Sequence, residues 1–208
     1  LIVTVAGLVR TAVQDATTAL VTADLTIAER VISGDARIDE LTKEIEQRSF
    51  QLLARQAPVA GELRTVVAVL RMSYSLDRMG DLAAHIAKIA RLRYPEVAAP
   101  EPVADQIKQM AETADSMIAT AITTLENRDA EAAAGLATAD SKMDELRSDQ
   151  FHLLLSDDWE YGVEKAVDTA LLGRYYERIA DHAVAMGART IYIVTGEAPE
   201  GENWPSSF

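Results

Sequence analysis

The chain repeats itself. Asp77-Arg78-Met79-Gly80-Asp81 returns as Glu177-Arg178-Ile179-Ala180-Asp181, an offset of 100 residues. Asp39-Glu40-Leu41 returns as Asp144-Glu145-Leu146 at an offset of 105, and the same offset carries Asp24 onto Asp129, Asp35 onto Asp140 and Glu44 onto Asp149. In a chain of 208 residues such a period means two copies of one unit, each long enough to bury a core. The offsets differ by five residues, so a segment between the two motifs is shorter in the second copy. A deletion of that kind belongs in a loop.

Each unit reads as three helices. Val5, Val9, Val13, Ala16 and Leu20 recur at helical spacing until about Ala23, where Asp24 stands as an N-cap for the next helix. That helix runs to about Gln56 with Ile27, Val31, Ile38, Leu41, Ile45, Leu52 and Leu53 on its apolar face. Ala57-Pro58 stops it, because a residue before proline leaves the helical region and proline suits the first turn of a new helix. The third helix then runs to about Arg93. Second-copy helices are predicted near 102–127, 129–156 and 160–195. The Pro-rich stretch 95–102 divides a first unit, 1–94, from a second, 103–195, and residues 196–208 read as a poorly ordered tail. Gly34 and Gly135 fall at roughly matching places inside helices two and five and read as locally tolerated. Few aromatics, 5%, beside 49% apolar residues favour helices over strands.

Composition narrows the chemistry. There is no cysteine, hence no disulfide, thiolate ligand or thiol nucleophile. A net charge of −13 repels polyphosphate backbones, so nucleic acid is not an expected partner. No apolar run approaches the roughly 20 residues of a membrane span, and no signal peptide is visible, so the expectation is a cytoplasmic protein without membrane insertion. The chain opens at Leu1 within a helical pattern, so the first helix is expected to continue upstream.

Four carboxylate pairs are spaced by four residues: Asp35 with Asp39, Asp77 with Asp81, Asp140 with Asp144, and Glu177 with Asp181. Residues at i and i+4 share a helix face, so each pair aims two like charges the same way, an arrangement that asks for a cation or an arginine. If helices two and three form a hairpin about Ala57-Pro58, Asp35 and Asp39 reach the same height as Asp81 and Asp77. Four carboxylates there could serve a hard cation. The second copy meets the same test only with its turn centred near Glu160. Against this, a chain with 33 acids produces such pairs by chance on solvated faces, and Arg78 and Arg178 could neutralise carboxylates across the bundle instead of a metal.

The other site motifs are missing. A di-iron bundle needs Glu-x-x-His on two helices, and only Asp149 with His152 comes near it. His85, four residues after Asp81, and His182, beside Asp181, read as surface or hydrogen-bonded histidines. There is no phosphate loop, nucleophile elbow or zinc-protease motif. No catalytic residue and no organic cofactor is expected.

Ala57-Pro58-Val59-Ala60-Gly61-Glu62-Leu63-Arg64, then Asp77-Arg78-Met79-Gly80-Asp81, and its echo Tyr176-Glu177-Arg178-Ile179-Ala180-Asp181-His182-Ala183 together resemble the PhoU family from Leu1 to about Gly196. The resemblance implies an all-α fold of two tandem antiparallel three-helix bundles related by internal pseudo-twofold symmetry. It implies a non-enzymatic regulator of phosphate uptake and of the phosphate-starvation response, coupling a phosphate ABC transporter ATPase to a phosphate-responsive sensor histidine kinase, with a homodimer as the assembly. It also implies metal, whether iron, manganese, zinc or magnesium, at Asp77, Asp81, Glu177 and Asp181, with Asp35, Asp39, Asp140 and Asp144 as helix partners. Asp77 stands where the family more often has Glu, a shorter reach. Two other classes stay open: a carboxylate-bridged metalloenzyme or metal-storage bundle, and a helical adaptor without metal.

Overall fold

The computed structural model describes residues 1–197. Six helices carry them: α1 (Ile2–Thr22), α2 (Leu25–Gln56), α3 (Ala60–Arg93), α4 (Glu101–Asn127), α5 (Ala130–Leu154) and α6 (Gly162–Thr195). Among the described residues there is no strand. Most of the stretch expected as a tail, from 198 onward, lies outside the described residues.

The repeat is visible at the first turn of each copy. Ala23 enters the left-handed region and ends α1, and the Asp24 carboxylate then accepts from the Ile27 backbone N–H at 2.9 Å to start α2. Arg128 and Asp129 do the same 105 residues later, with Asp129 accepting from the Ala132 N–H at 2.9 Å. The second turn differs between copies. Left-handed Ala57 breaks α2, and extended Val59 caps α3, so Pro58 precedes the helix instead of entering its first turn. In the second copy α5 stops at Leu154 and α6 starts at Gly162, leaving 155–161 as the connection. The five-residue deletion therefore does not shorten a loop, as the sequence suggested. It removes helix: α5 has 25 residues against 32 in α2, about two turns less, while α3 and α6 both have 34.

Helices α1, α2 and α3 pack together as one bundle and α4, α5 and α6 as another. The bundles join through α1 against α4 and α3 against α6, leaving α2 and α5 on the outside, each touching among the six helices only those of its own bundle. Along α3 and α6, Tyr74 meets His182 and His85 meets Tyr175, so the two helices run antiparallel about the buried pair Met79 and Ile179. These two residues are equivalents in the repeat, which places the internal pseudo-twofold between them. The apolar stripes Val5, Val9, Val13 and Leu20 of α1, and Val103, Ile107, Met110 and Ile118 of α4, feed one continuous core. Polar ties fix the seam: Arg10 holds Asp115 through two bonds of 2.8 Å, Gln14 adds a third, and the Thr17 hydroxyl meets the Tyr176 phenol at 2.8 Å. Gly34 and Gly135 face open space, consistent with local tolerance.

Candidate functional site

The acid pairs lie where the outer helix of each bundle crosses its inner partner, α2 on α3 and α5 on α6. In the first half, Asp35 and Asp77 are pushed above the ordinary carboxylate range, first by burial and then by facing acids. Asp81 and Asp39 raise Asp35, while Asp39 and Asp81 raise Asp77. The four carboxylates are thus at one height, as the hairpin argument required. Gly80 permits the approach, since a Cβ there would come within 3.0 Å of Asp35 Oδ1. That Oδ1 is buried and has no hydrogen-bond partner.

The second half repeats the pattern. Asp140 is raised by burial, then by Asp144, Asp181 and Glu177, and Asp181 is raised by burial with Arg178 opposing. Its register therefore holds despite the altered connection. Asp140 Oδ1 is again buried without a partner. Two orphaned carboxylate oxygens at equivalent positions fit a cation, because a buried acceptor left bare costs about 1–3 kcal/mol. Among the described residues, however, no three of the histidine, aspartate and glutamate side chains converge as a ligand set.

Neutralisation differs from the expectation. Arg78 and Arg178 do not cross the bundle; each turns along its own helix, Arg78 to Asp81 at 2.9 Å and Arg178 to Asp181 at 3.7 Å, as i, i+3 spacing favours. The arginine that does cross is Arg147 of α5, whose Nε lies 3.5 Å from Glu177, an acid also held by Arg174 at 2.8 Å. Its first-half equivalent is Thr42, whose hydroxyl lies 3.0 Å from the Asp39 carbonyl oxygen and 3.2 Å from Asp77 Oδ1. Sequence reasoning missed this pair, although the 105-residue offset carries Thr42 onto Arg147.

The histidines stand apart from ligand roles. His85 is exposed and its Nδ1 lies 2.6 Å from the Asp81 carbonyl oxygen. His152 is exposed at the end of α5. His182 sits in the α3–α6 seam with a buried, unpartnered Nε2, and burial, helped by Arg178 and Arg78, pulls it down to about 4.

A family model, the PhoU domain, matches residues 2–90 and again 107–190. The chain belongs to the PhoU domain family. The two matches are the two bundles described above, so the acid pairs are repeated elements of a PhoU domain. The chain is 43% identical over 201 residues to phosphate-specific transport system accessory protein PhoU homolog 1 of Mycobacterium leprae, covering 97% of this chain and 90% of that one. It is 44% identical over 193 residues to PhoU homolog 2 of Mycobacterium tuberculosis, covering 93% and 91%. The crystal structure of PhoU from Pseudomonas aeruginosa superposes with a TM-score of 0.89 at 26% identity, covering 94% of each chain. That of the phosphate transport system regulatory protein PhoU from Streptococcus pneumoniae gives 0.85 at 26%, covering 94% of this chain and 92% of that one. PhoU-family proteins are non-enzymatic regulatory accessory proteins, which sets the metalloenzyme reading aside. Among the described residues no helix is long and apolar enough to cross a membrane.

Proposed function

We propose that this protein is a cytoplasmic regulator of phosphate uptake that acts by protein contact, as a homodimer, linking a phosphate ABC transporter ATPase to a phosphate-responsive sensor histidine kinase. The observation that carries the reading is near full-length identity of 43–44% to proteins named as accessory to phosphate-specific transport. In this reading the acidic clusters bind a divalent or trivalent cation, iron, manganese, zinc or magnesium, through Asp35, Asp39, Asp77 and Asp81 in one half and Asp140, Asp144, Glu177 and Asp181 in the other. The orphaned Asp35 and Asp140 oxygens support a cation, which would relieve the repulsion within each cluster.

The test is genetic and biochemical. In a host lacking this gene and any paralogue, phosphate-scavenging genes are expected to stay on in high phosphate, and the intact gene is expected to silence them. The tagged protein should capture the transporter ATPase and the kinase to different extents at high and low phosphate. Unchanged expression in the deleted host would overturn the reading.

A further inference from the structure

The first two turns of α6 lack an outer helix over one face. In the first half α2 continues to Gln56 and the chain returns within three residues to α3. In the second half α5 stops two turns earlier relative to the repeat, so the start of α6 loses the helix that flanks its counterpart. Leu63 and Val67 of α3 are half-buried, whereas their equivalents Val163 and Val167 are exposed, Val163 at 81%. With Leu155 at 83% exposure, Phe151, Trp159 and Ala166 they line a groove of about 420 Å³. The Trp159 indole N–H donates to the Gly162 carbonyl at 2.9 Å and pins the connecting loop along its edge. A contiguous apolar groove of this kind marks an interaction site.

The loop charges at its mouth have one sign. Asp157, Asp158 and Glu160 stand exposed on the loop that forms the mouth, and none of them is in an ion pair among the described residues. The neighbouring cations are committed: Arg147, over the Phe151 ring, is beside Glu177, and Lys165 lies 3.7 Å from Glu96. An acidic mouth on a chain of charge −13 disfavours a second copy at this face and attracts a cationic partner.

The geometry points to this groove as the seat of a short amphipathic helix carrying lysine or arginine beside its apolar face, supplied by a partner protein. The helix would lie where α2 places its last two turns in the first half, presenting apolar residues at i, i+3 and i+4 to Val163 and Val167. This gives the regulatory reading a partner surface and rests on it for its biological meaning; the binding itself is a property of the purified chain.

The intact chain carrying Trp204→Phe keeps Trp159 as its single tryptophan, in the groove wall. Titration with a synthetic 14-residue amphipathic helix of leucine and lysine should shift Trp159 emission saturably. A counterpart with glutamate for lysine should bind at least tenfold more weakly. Leu155→Asp with Val163→Asp, both at exposed positions and checked by unchanged helical circular dichroism, should weaken the lysine peptide at least tenfold. Added acids would strengthen a purely electrostatic association, so this direction is diagnostic. Asp157→Asn, Asp158→Asn and Glu160→Gln together should weaken binding and flatten its salt dependence. No saturable shift, equal binding of the two peptides, or undiminished binding by the aspartate variant would overturn the proposal. So would loss of a concentration-dependent dimer in that variant by sedimentation, which would make the groove a self-interface. Failure of the titration would leave phosphate-dependent gene silencing by the intact gene standing; absence of silencing with the titration intact would remove the regulatory reading and keep the groove.

Discussion

Thr42 and Arg147 hold the same place in the two halves and treat the acid across from them differently. Thr42 reaches Asp77 with a neutral hydroxyl at 3.2 Å, while Arg147 brings a guanidinium to 3.5 Å from Glu177. Burial lowers the Arg147 pKa and Glu177 raises it, so the cation is held in place by the acid it neutralises. Two duplicated acid clusters have therefore diverged in charge. The first has Arg78 on Asp81, whereas the second sets two further guanidiniums, Arg147 and Arg174, against Glu177.

The seam between the bundles offers a measurable bond. Tyr176 is fully buried and its only hydroxyl contact described is Thr17, across the bundle boundary; burial holds the phenol protonated, and the Thr17 hydrogen bond works in the opposite direction. Tyr176→Phe leaves Thr17 its bond to the Val13 carbonyl, so the expected cost is about 1 kcal/mol, or roughly 2–4 °C in thermal midpoint. Thr17→Val should cost more, since it strands the phenol. A double-mutant cycle by thermal unfolding should return a coupling of about 0.5–1.5 kcal/mol; zero coupling would mean the contact adds nothing.

Glycine substitutions should split by location. Gly34→Ala and Gly135→Ala add a methyl to open space in a helix interior and should each stabilise by about 0.5–1 kcal/mol. Gly187→Ala drives its Cβ to 3.0 Å from the Ala133 backbone carbonyl and 2.6 Å from Leu136, and Gly173→Ala meets Gln150 at 2.0 Å. Both should destabilise by about 1–3 kcal/mol, the usual range for overpacking. Urea unfolding of the four variants decides it, and a stabilised Gly187→Ala would refute the α5–α6 contact.

Acid should act on two groups with opposite sign. His182, lowered to about 4 from an ordinary 6.5, binds fewer protons folded than unfolded. Its contribution to stability is present above pH 6.5 and is lost as pH falls toward 4. Asp35, Asp77, Asp140 and Asp181 are raised, so the folded state takes up their protons first. Their contribution is present below the ordinary carboxylate value and is lost as pH rises through their folded values. Proton-resolved NMR should show His182 still neutral at pH 5. Arg78→Gln should leave most of the depression, because burial is its larger cause. His182→Gln should remove the loss of stability between pH 6.5 and 4.

Much of the fold was legible because duplication prints twice. Asp24 and Asp129 announced both short turns, and a hairpin about Ala57-Pro58 set the first half's acid pairs at one height, whereas the second half's register depended on where its turn lay. The α5–α6 connection was misread because the difference between two offsets constrains total length and not which element loses it; only packing decides that two turns of α5 are dispensable. The acid site was legible in its members and not in its neutralisation. A residue that crosses between helices, such as Arg147, has no local pattern, and Arg78 looked equally able to cross until the helix rotation turned it along α3.

Cation binding should then favour the first half. Asp35, Asp39, Asp77 and Asp81 face each other with, among the described residues, Thr42 and Arg78 alone on their carboxylates in hydrogen bonds or ion pairs, and Lys88 is the further cation that lowers Asp35. A cation bound to the folded state stabilises by mass action, about 2.7 kcal/mol at a hundredfold excess over its dissociation constant, or roughly 5–10 °C. The measurement is the thermal midpoint with and without manganese, magnesium or iron. Asp77→Asn with Asp81→Asn should raise or hold the metal-free midpoint, since two like charges are gone, and should shrink the gain from metal. Glu177→Gln with Asp181→Asn should shrink it less. Arg147→Thr gives the second half the first half's neutral residue, and should lower the metal-free midpoint while enlarging the gain, because Glu177 loses one of its two guanidinium neighbours. If the parent gains nothing from metal, or the Asp77 and Asp81 variant gains as much, the first cluster is an ordinary solvated face. An unchanged gain in Arg147→Thr would show instead that the guanidinium does not set the difference between the halves.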